Sequence, residues 1–171
     1  DHWRLHRHLS PARRLGLAVM SQGSVQQVAP PTTLYEMPAN RFVADFIGKI
    51  NMIDGEAKPA GGGQVTGKAP MIGDVTRAGT ATGKVAVAGR PEKIFVDETR
   101  PTDPNLIAVK GKVGEVAYFG SYSNVFFDIG LAAPLQADIS NVSSDIDEIV
   151  FTPGEEYWVY WRKADTLVLG E

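Results

Sequence analysis

The sequence predicts a mainly β protein, in which a β-barrel or β-sandwich follows a short hairpin and two short helices. Residues 51–171 contain no helical pattern longer than a few residues. They show short runs of alternating apolar and polar residues separated by Gly, Pro, Asn and Asp, which is typical of barrels and sandwiches. The clearest run covers residues 107–113, where one face is apolar and the other is mostly charged.

The predicted hairpin precedes this β region. Two short apolar runs, residues 17–20 and 24–28, flank Ser21-Gln22-Gly23. A glycine between two such runs favours a tight turn, because it adopts backbone angles that other residues avoid. We therefore expect two antiparallel strands here.

Two short helices are expected between the hairpin and the β region. The first covers residues 32–37, with a threonine as its cap, and ends at Met37-Pro38 because proline disfavours helical geometry in the preceding residue. Asn40 is a good cap for the second helix, and Gly48 ends it. Its predicted apolar stripe consists of Phe42, Val43, Phe46 and Ile47, with Arg41, Ala44 and Asp45 outside the stripe.

The β region contains nine candidate strands. Residues 107–113 and 122–129 are expected to form a long hairpin, with Val125, Phe127 and Ile129 facing the core and Asn124, Phe126 and Asp128 facing away. The predicted strands are residues 51–58, 64–69, 84–89, 93–97, 107–113, 122–129, 135–139, 156–162 and 166–169.

Composition limits the function classes. The 171 residues are 43% hydrophobic and 22% charged, which is ordinary for a globular protein, and they include no cysteine. Disulfides and thiolate metal sites are therefore excluded. The formal charge is −3, but residues 1–14 hold four arginines and all three histidines, so the remainder is more acidic. An acidic body disfavours nucleic-acid binding.

Residues 1–14 have no clean helical or strand period, and we expect a disordered basic leader. His2, His6 and His8 lie at close spacing, which leaves a metal site as the alternative. No carboxylate or cysteine nearby completes a set of ligands for it.

One stretch carries a family resemblance: Tyr35-Glu36-Met37-Pro38-Ala39-Asn40-Arg41-Phe42-Val43-Ala44-Asp45-Phe46-Ile47-Gly48. It resembles the segment that joins the nucleotide-binding domain to the accessory domain in ATP-binding subunits of ABC importers of the spermidine/putrescine type. The resemblance extends upstream through residues 17–28, and weaker similarities follow downstream in the family's order, in residues 51–56, 90–92 and 116–121.

The resemblance implies a division of the chain into the leader (1–14), a remnant of the nucleotide-binding domain and linker (15–49), and an oligonucleotide/oligosaccharide-type (OB-like) barrel, the transport-associated or TOBE domain (50–171). It implies a non-catalytic accessory and regulatory role in polyamine import, with no cofactor in this chain, although the intact subunit uses ATP and magnesium. The implied partners are a second copy of the chain and the permease subunits, and nucleic acid is not among them. The implied location is the cytoplasm, where the subunit is attached to the membrane only through the permease. The alternative is a free-standing domain that binds a small anion or single-stranded nucleic acid.

Two groups of residues are candidate sites. Arg90, Pro91 and Glu92 resemble a signature of the accessory barrel, and the structural interpretation is that Pro91 fixes a connection while the charged residues pair or satisfy carbonyl groups. In residues 156–162, Trp158 and Tyr160 alternate with the apolar residues of the core face and therefore lie on the opposite face of the strand. Two large aromatic side chains there predict either a self-association surface or a face that another part of the same barrel covers.

Other motifs lack the parts that their chemistry needs. Residues 62–68 have the glycine and lysine spacing of a phosphate-binding loop, but Ala69 offers no hydroxyl for magnesium and Pro70 disrupts the required helix. The acidic residues Asp138, Asp145, Asp147 and Glu148 lack the pattern of a calcium loop, and we expect a solvated loop there. Without a cysteine, or a histidine beyond residue 8, the usual triads for nucleophilic catalysis are excluded.

Overall fold

The computed structural model describes residues 16–141 and 151–171. Numbered in chain order, the first elements are an antiparallel hairpin of β1 (Leu17–Ser21) and β2 (Ser24–Ala29), followed by α1 (Pro31–Glu36) and α2 (Arg41–Ile47). The side-chain oxygen of Asn40 accepts a hydrogen bond from the backbone N–H of Val43 at 2.9 Å, so the predicted cap of α2 is confirmed. The hairpin and both predicted helices are present.

The first large sheet has five strands in the order β12-β6-β3-β4-β5. Every pair within it is antiparallel. Its strands are β3 (Asn51–Gly61), β4 (Gln64–Ala69), β5 (Gly73–Ala78), β6 (Gly83–Gly89) and β12 (Leu167–Leu169).

The second large sheet also has five antiparallel strands, in the order β10-β9-β8-β11-β7. Short 3-10 turns at Pro91–Lys93 and Lys163–Asp165 connect strands of the two sheets. The strands are β7 (Phe95–Asp97), β8 (Leu106–Tyr118), β9 (Tyr122–Asp128), β10 (Leu135–Ser140) and β11 (Glu156–Arg162).

The main core combines apolar side chains from both large sheets. Phe127 of β9 and Val159 of β11 are fully buried there with Val75 and Val87 of the first sheet. The alternation in residues 107–113 and 156–162 places the predicted face inside each time, because side chains of a strand alternate between its two faces. The structure is thus mainly β, as the sequence patterns predict, with the OB-like fold that the family resemblance implies.

A second apolar cluster attaches α2 to the first sheet. Ala44 is fully buried against Ala86 and Ala88 of β6 and Leu169 of β12. A third, smaller cluster of Val19, Leu34 and Val43 holds the hairpin against the two helices. The segment that precedes the barrel is therefore packed onto it through α2.

Four details differ from the sequence predictions. Residues 73–78 form an additional strand, β5. The threonine cap of α1 is wrong, since Pro30 occupies the cap position without a side-chain hydrogen bond. In α2 the buried side chains are Val43 and Ala44, whereas Phe42 and Phe46 are exposed and stack on each other with centroids 5.9 Å apart. Asn124, predicted to face away from the core, is only 2% exposed.

The prediction for residues 1–14 lies outside the described residues. Within the described ranges, the helices are too short and too polar to cross a membrane.

Candidate functional site

Arg90 connects the barrel to the two helices. It lies directly after β6, and its side chain is buried, with the residue only 2% exposed. A buried guanidinium needs acceptors for its fixed set of donors, and here backbone carbonyls supply them to both terminal nitrogens, whereas Nε has no hydrogen-bond partner. Its Nη1 donates to the carbonyl oxygens of Ala44 (3.1 Å), Gly48 (2.8 Å) and Lys49 (3.0 Å), and its Nη2 donates to that of Tyr35 (3.2 Å).

Tyr35 completes this arrangement, which we call the linker joint: Arg90, Tyr35 and Glu92 with the four carbonyl groups. The guanidinium carbon of Arg90 lies 4.1 Å from the centroid of the Tyr35 ring, which is the geometry of a cation–π contact. The Tyr35 hydroxyl donates a 2.5 Å hydrogen bond to Oε1 of Glu92. Burial and this hydrogen bond raise the pKa of Tyr35 to about 12. The Tyr35 hydroxyl therefore keeps its proton to a higher pH than an unperturbed tyrosine does.

Pro91 and Lys93, which follow Arg90, also contribute to the connection between the barrel and the two helices. Pro91 is buried and opens the 3-10 turn, so it fixes the direction in which the chain leaves β6. Lys93 pairs with Glu36 at the end of α1 (2.5 Å) and lies 3.8 Å from Asp165. The segment from Arg90 to Lys93 thus contacts α1 and α2 as well as the barrel, and Arg90 satisfies carbonyl groups, as in the structural interpretation of this motif.

Trp158 and Tyr160 lie on the outer face of β11, opposite the core side chains. Both are half-buried by neighbours in the same chain. Phe95 of β7 stacks on Tyr160 with centroids 5.7 Å apart, and the guanidinium of Arg100 lies 5.0 Å from the Trp158 ring. Intramolecular contacts therefore cover part of the face predicted to self-associate.

A groove of about 670 Å³ is lined by residues of both edge strands of the second large sheet, β7 and β10, and by Tyr160 of this face. We call it the aromatic groove. Aliphatic side chains and small polar groups form much of its wall, and no lysine or arginine is among its described lining residues. Its aromatic residues are Phe95, Tyr118, Phe151 and Tyr160, and its carboxylates are Glu92 and Asp138.

Several contacts hold the walls of the aromatic groove in place. Phe151 packs edge-on against the core rings of Phe127 and Tyr157, with centroids 6.1 and 5.4 Å apart. Nε2 of Gln136 donates to Oδ1 of Asp138 at 2.7 Å, so one carboxylate oxygen is held in position. Glu92 is held by Tyr35. Both carboxylates that line the groove therefore have fixed neighbours.

A second groove, of about 870 Å³, lies on the outer face of the first large sheet. Its charges alternate in a row across four neighbouring strands, from Asp74 through Lys68 and Glu56 to Lys84. Cross-strand neighbours of opposite sign attract weakly at an exposed surface. Because both signs are mixed, this groove selects neither anions nor cations, and it is a weaker candidate than the aromatic groove.

The glycine-rich segment that imitates a phosphate-binding loop is a strand hairpin. Gly62 and Gly63 form the turn between β3 and β4, and Thr66, Gly67 and Lys68 belong to β4. A phosphate loop needs a helix N-terminus directly after it. A strand occupies that place, which agrees with the rejection of the motif.

The acidic residues are only partly within the described ranges. Asp138 lies on β10, within the predicted strand 135–139 and not in the solvated loop expected for the acidic residues, whereas Asp145, Asp147 and Glu148 fall outside the described residues. Among the residues that the structure describes, no group of three carboxylate or histidine side chains is close enough to hold a metal ion.

Sequence reasoning missed the role of Tyr35. Tyr35 contacts Arg90 and Glu92, which lie 55 and 57 positions later in the chain. Separations of this length leave no local pattern. One feature of the sequence could have indicated this role: Tyr35 lies in the segment that carries the family resemblance. A buried tyrosine usually finds a hydrogen-bond partner for its hydroxyl group.

The TOBE domain family matches residues 87–169. The chain is 38% identical to the spermidine/putrescine import ATP-binding protein PotA of Rubrobacter xylanophilus, over 90% of this chain and 40% of that protein. It is 32% identical to PotA of Chromobacterium violaceum, over 85% of this chain and 41% of that protein. The chain thus spans about two fifths of the length of these curated relatives.

A solved structure supports the fold alone. The cytoplasmic molybdate-binding protein ModG, with molybdate bound, superposes with a TM-score of 0.57 at 11% identity, covering 71% of this chain and 96% of ModG. Residues 87–169 match the TOBE domain family, in a chain that is similar to spermidine/putrescine import ATP-binding proteins over nearly its whole length.

Proposed function

We propose that this chain is the non-catalytic accessory part of the ATP-binding subunit of an ABC importer, serving uptake of polyamines such as spermidine and putrescine. The named relatives match over 85 to 90% of the chain, and they support this assignment together with the TOBE domain. In this proposal residues 15–49 belong to the linker and the end of the nucleotide-binding domain, and residues 50–171 form the accessory barrel.

The linker joint is the observation that carries the proposal. An accessory domain can influence a neighbouring domain only if the connection between them is rigid, so that a movement of one domain also moves the other. Arg90 ties the barrel to α1 and α2 through four hydrogen bonds, and α2 also packs on β6. The barrel and the preceding helices therefore form one unit, which suits a domain that is attached to a motor.

The hairpin adds a second supporting observation. Val19 faces the helices, whereas Met20, Val25 and Val28 are each more than half exposed. A two-stranded hairpin with apolar side chains on both faces is stable only when its second face is covered. In the proposed subunit the nucleotide-binding domain covers it. ATP and magnesium would bind there, and this chain would need no cofactor.

The proposed partners follow from the same role. The intact subunit would contact permease subunits at the cytoplasmic face of the membrane, so this chain would reach the membrane only indirectly. It would also meet a second copy of itself, with Trp158 and Tyr160 in the contact. A regulatory effect on ATP hydrolysis is part of this proposal, and the aromatic groove is the candidate for it.

The alternative of a free-standing anion-binding domain has weaker support. The likeness to the molybdate-binding protein concerns the fold only, and two carboxylates line the aromatic groove without a lysine or arginine among its described residues. Such a groove repels oxyanions. The second alternative, single-stranded nucleic acid, meets the same repulsion at the phosphates.

A chimera tests the proposal. The matching C-terminal part of the Rubrobacter subunit is replaced by residues 16–171 of this chain, and uptake of labelled spermidine is measured in cells that lack their own ATP-binding subunit. We expect uptake above that of the truncated subunit. A folded chimera that hydrolyses ATP but supports no more uptake than the truncated subunit would overturn the proposal.

A further inference from the structure

We propose that the outer edge of β10 binds an extended segment of a partner protein as an additional β-strand, and that this segment alternates apolar with basic side chains. The segment lies between β10 and β7, the two edge strands of the second large sheet, both of which line the aromatic groove. Edge strands present backbone N–H and C=O groups to other chains, and several kinds of domain bind extended peptides in this way. The inference is independent of the proposed accessory role, because it concerns the barrel alone.

The hydrogen bonds of β10 show which of its backbone groups face away from β9. The N–H of Asn141 donates to the carbonyl oxygen of Ser121, which directly precedes β9, at 2.9 Å. In an antiparallel pair such residues alternate with residues whose N–H and C=O groups point to the opposite edge. The outward residues are Gln136, Asp138 and Ser140. Within residues 16–141 and 151–171, β10 pairs with β9 alone, so Asp138 and Ser140 have no strand beside them on the outer edge.

The side chain of Asn51 already pairs with one position of this edge. Its Nδ2 donates to the carbonyl oxygen of Gln136, and its Oδ1 accepts from the N–H of Gln136, both at 2.8 Å. A carboxamide that makes both bonds imitates the backbone of a neighbouring strand. The edge thus pairs with a peptide-like group at Gln136. The next two outward residues, Asp138 and Ser140, line the aromatic groove and offer the same pair of backbone groups.

The side of the groove towards the core selects apolar side chains. Val96, Val116 and Ile139 line the groove, and all three pack against the main core. A strand added beside β10 points every second side chain to this side, because side chains alternate between the two faces of a sheet. Apolar side chains at those positions leave water when the segment binds, and this stabilises the complex.

The other side of the groove selects basic side chains. Asp138 alternates with the buried Ala137, so its carboxylate lies on the face away from the core. Glu92 adds a second carboxylate, and the described lining residues include no lysine or arginine. Phe95 and Tyr160, stacked 5.7 Å apart, form the wall on the side of β7. A lysine or arginine there pairs with a carboxylate and lays its aliphatic stem on the aromatic rings.

Synthetic peptides test the site on the full 171-residue chain by calorimetric titration. The probe is a capped hexapeptide in which valine alternates with lysine, and a peptide with glutamate in place of lysine should bind at least tenfold more weakly. Two further peptides carry N-methyl groups either on the valines or on the lysines. Each of them loses the N–H donors of one edge only, since successive N–H groups of a strand point to opposite edges. One methylated peptide should therefore bind at least tenfold more weakly than the other.

Two variants at one position test the edge of β10 itself. Ser140→Pro removes an outward N–H and should weaken binding of the valine–lysine peptide at least tenfold. The barrel should tolerate this change, because proline is accepted on edge strands where the N–H faces away from the ladder. Ser140→Ala keeps the N–H and is the matched control, with a change in affinity of less than twofold. Thermal unfolding establishes that both variants are folded.

Hydrogen exchange followed by NMR tests the pairing without any variant. The amides of Asp138 and Ser140 should exchange at least tenfold more slowly when the peptide is bound, because they become hydrogen-bonded. The proposal is overturned if the folded chain does not bind the peptide at millimolar concentration, if both methylated peptides bind equally, or if exchange at these two amides is unchanged. A peptide affinity that falls as the concentration of the chain rises would show that a second copy covers this edge, and would overturn a different protein as the partner.

Discussion

The guanidinium carbon of Arg90 lies 4.1 Å from the centre of the Tyr35 ring, although 55 residues separate them in sequence. This contact joins the end of β6 to α1. The same guanidinium donates to carbonyl groups at Ala44, Gly48 and Lys49, where α2 ends. One buried side chain therefore fixes both helices relative to the barrel, and this explains why a charged residue occupies so buried a position.

Replacing this guanidinium should destabilise the chain strongly. Arg90→Ala leaves several carbonyl groups without their donor and removes the cover from the Tyr35 ring. We expect the free energy of unfolding to fall by about 3 kcal/mol, since hydrogen bonds to charged groups contribute roughly 1.5 to 3 kcal/mol each but are not additive. Equilibrium unfolding in urea measures the change.

Two further variants distinguish the effect of the guanidinium geometry on stability from the effect of its charge. Arg90→Lys keeps the positive charge but cannot donate to all four carbonyl groups, so it should recover less than half of the lost stability. Arg162→Ala removes an exposed arginine and should stay within about 0.5 kcal/mol of the wild type. Equal stability of Arg90→Ala and Arg162→Ala would contradict the role of the linker joint.

The pKa of Tyr35 predicts a loss of stability in alkali. Burial, followed by the hydrogen bond to Glu92, raises this pKa from 10.0 to about 12. The folded state thus keeps the phenol proton after the unfolded state has lost it, so the stabilisation is complete below pH 10 and disappears as the pH rises from about 10 to 12. Urea unfolding at pH 8 and pH 10.5 should show a smaller decrease in Tyr35→Phe than in the wild type. An equal decrease in both proteins would refute the prediction.

The strand faces of the barrel were predictable because they depend on local alternation. Residues 156–162 read as Tyr157, Val159 and Trp161 on one side, and these three are the buried ones. Strand β5 was missed because Val75 is its only buried apolar residue between polar neighbours, which leaves no alternating pattern to recognise. Asn124 was expected to be exposed because the alternating pattern identifies one core face and does not show that the other face is also covered.

The linker joint was predictable only in part. The sequence identified Arg90, Pro91 and Glu92 through the family resemblance and suggested that they satisfy carbonyl groups, but it gave no information on which carbonyl groups. In α2, hydrophobicity alone favoured Phe42 and Phe46 over Ala44 as the buried residues. Only a small side chain fits where the helix lies close to β6, and Ala44 takes that place. Close approach between elements is a tertiary property, and hydrophobicity alone does not reveal it.

Close approach also predicts the effect of adding one methyl group to β8. A Cβ atom at Gly111 would lie 2.9 Å from Cβ of Phe127 and 3.1 Å from Cγ2 of Ile129. Gly111→Ala should therefore cost about 1 to 3 kcal/mol through overpacking of the core. Gly114→Ala on the same strand is the matched control, because its nearest neighbour would be 3.5 Å away. Urea unfolding should show a clearly larger loss for Gly111→Ala, and equal losses would contradict the packing.

The self-association of the barrel through Trp158 and Tyr160 stays a prediction. These two side chains keep part of their surface exposed beside the stacked Phe95, and aromatic residues of this kind often dominate the free energy of protein contacts. We expect wild-type dimers in sedimentation equilibrium. The double variant Trp158→Ala/Tyr160→Ala should raise the dissociation constant at least tenfold, whereas Tyr122→Ala, which removes an exposed ring elsewhere, should not. Thermal unfolding must show that the double variant is folded, since it also loses the contacts with Arg100 and Phe95. A wild type that is monomeric at all concentrations, or a dimer that the double variant leaves unchanged, would mean that contacts within the chain alone account for this face.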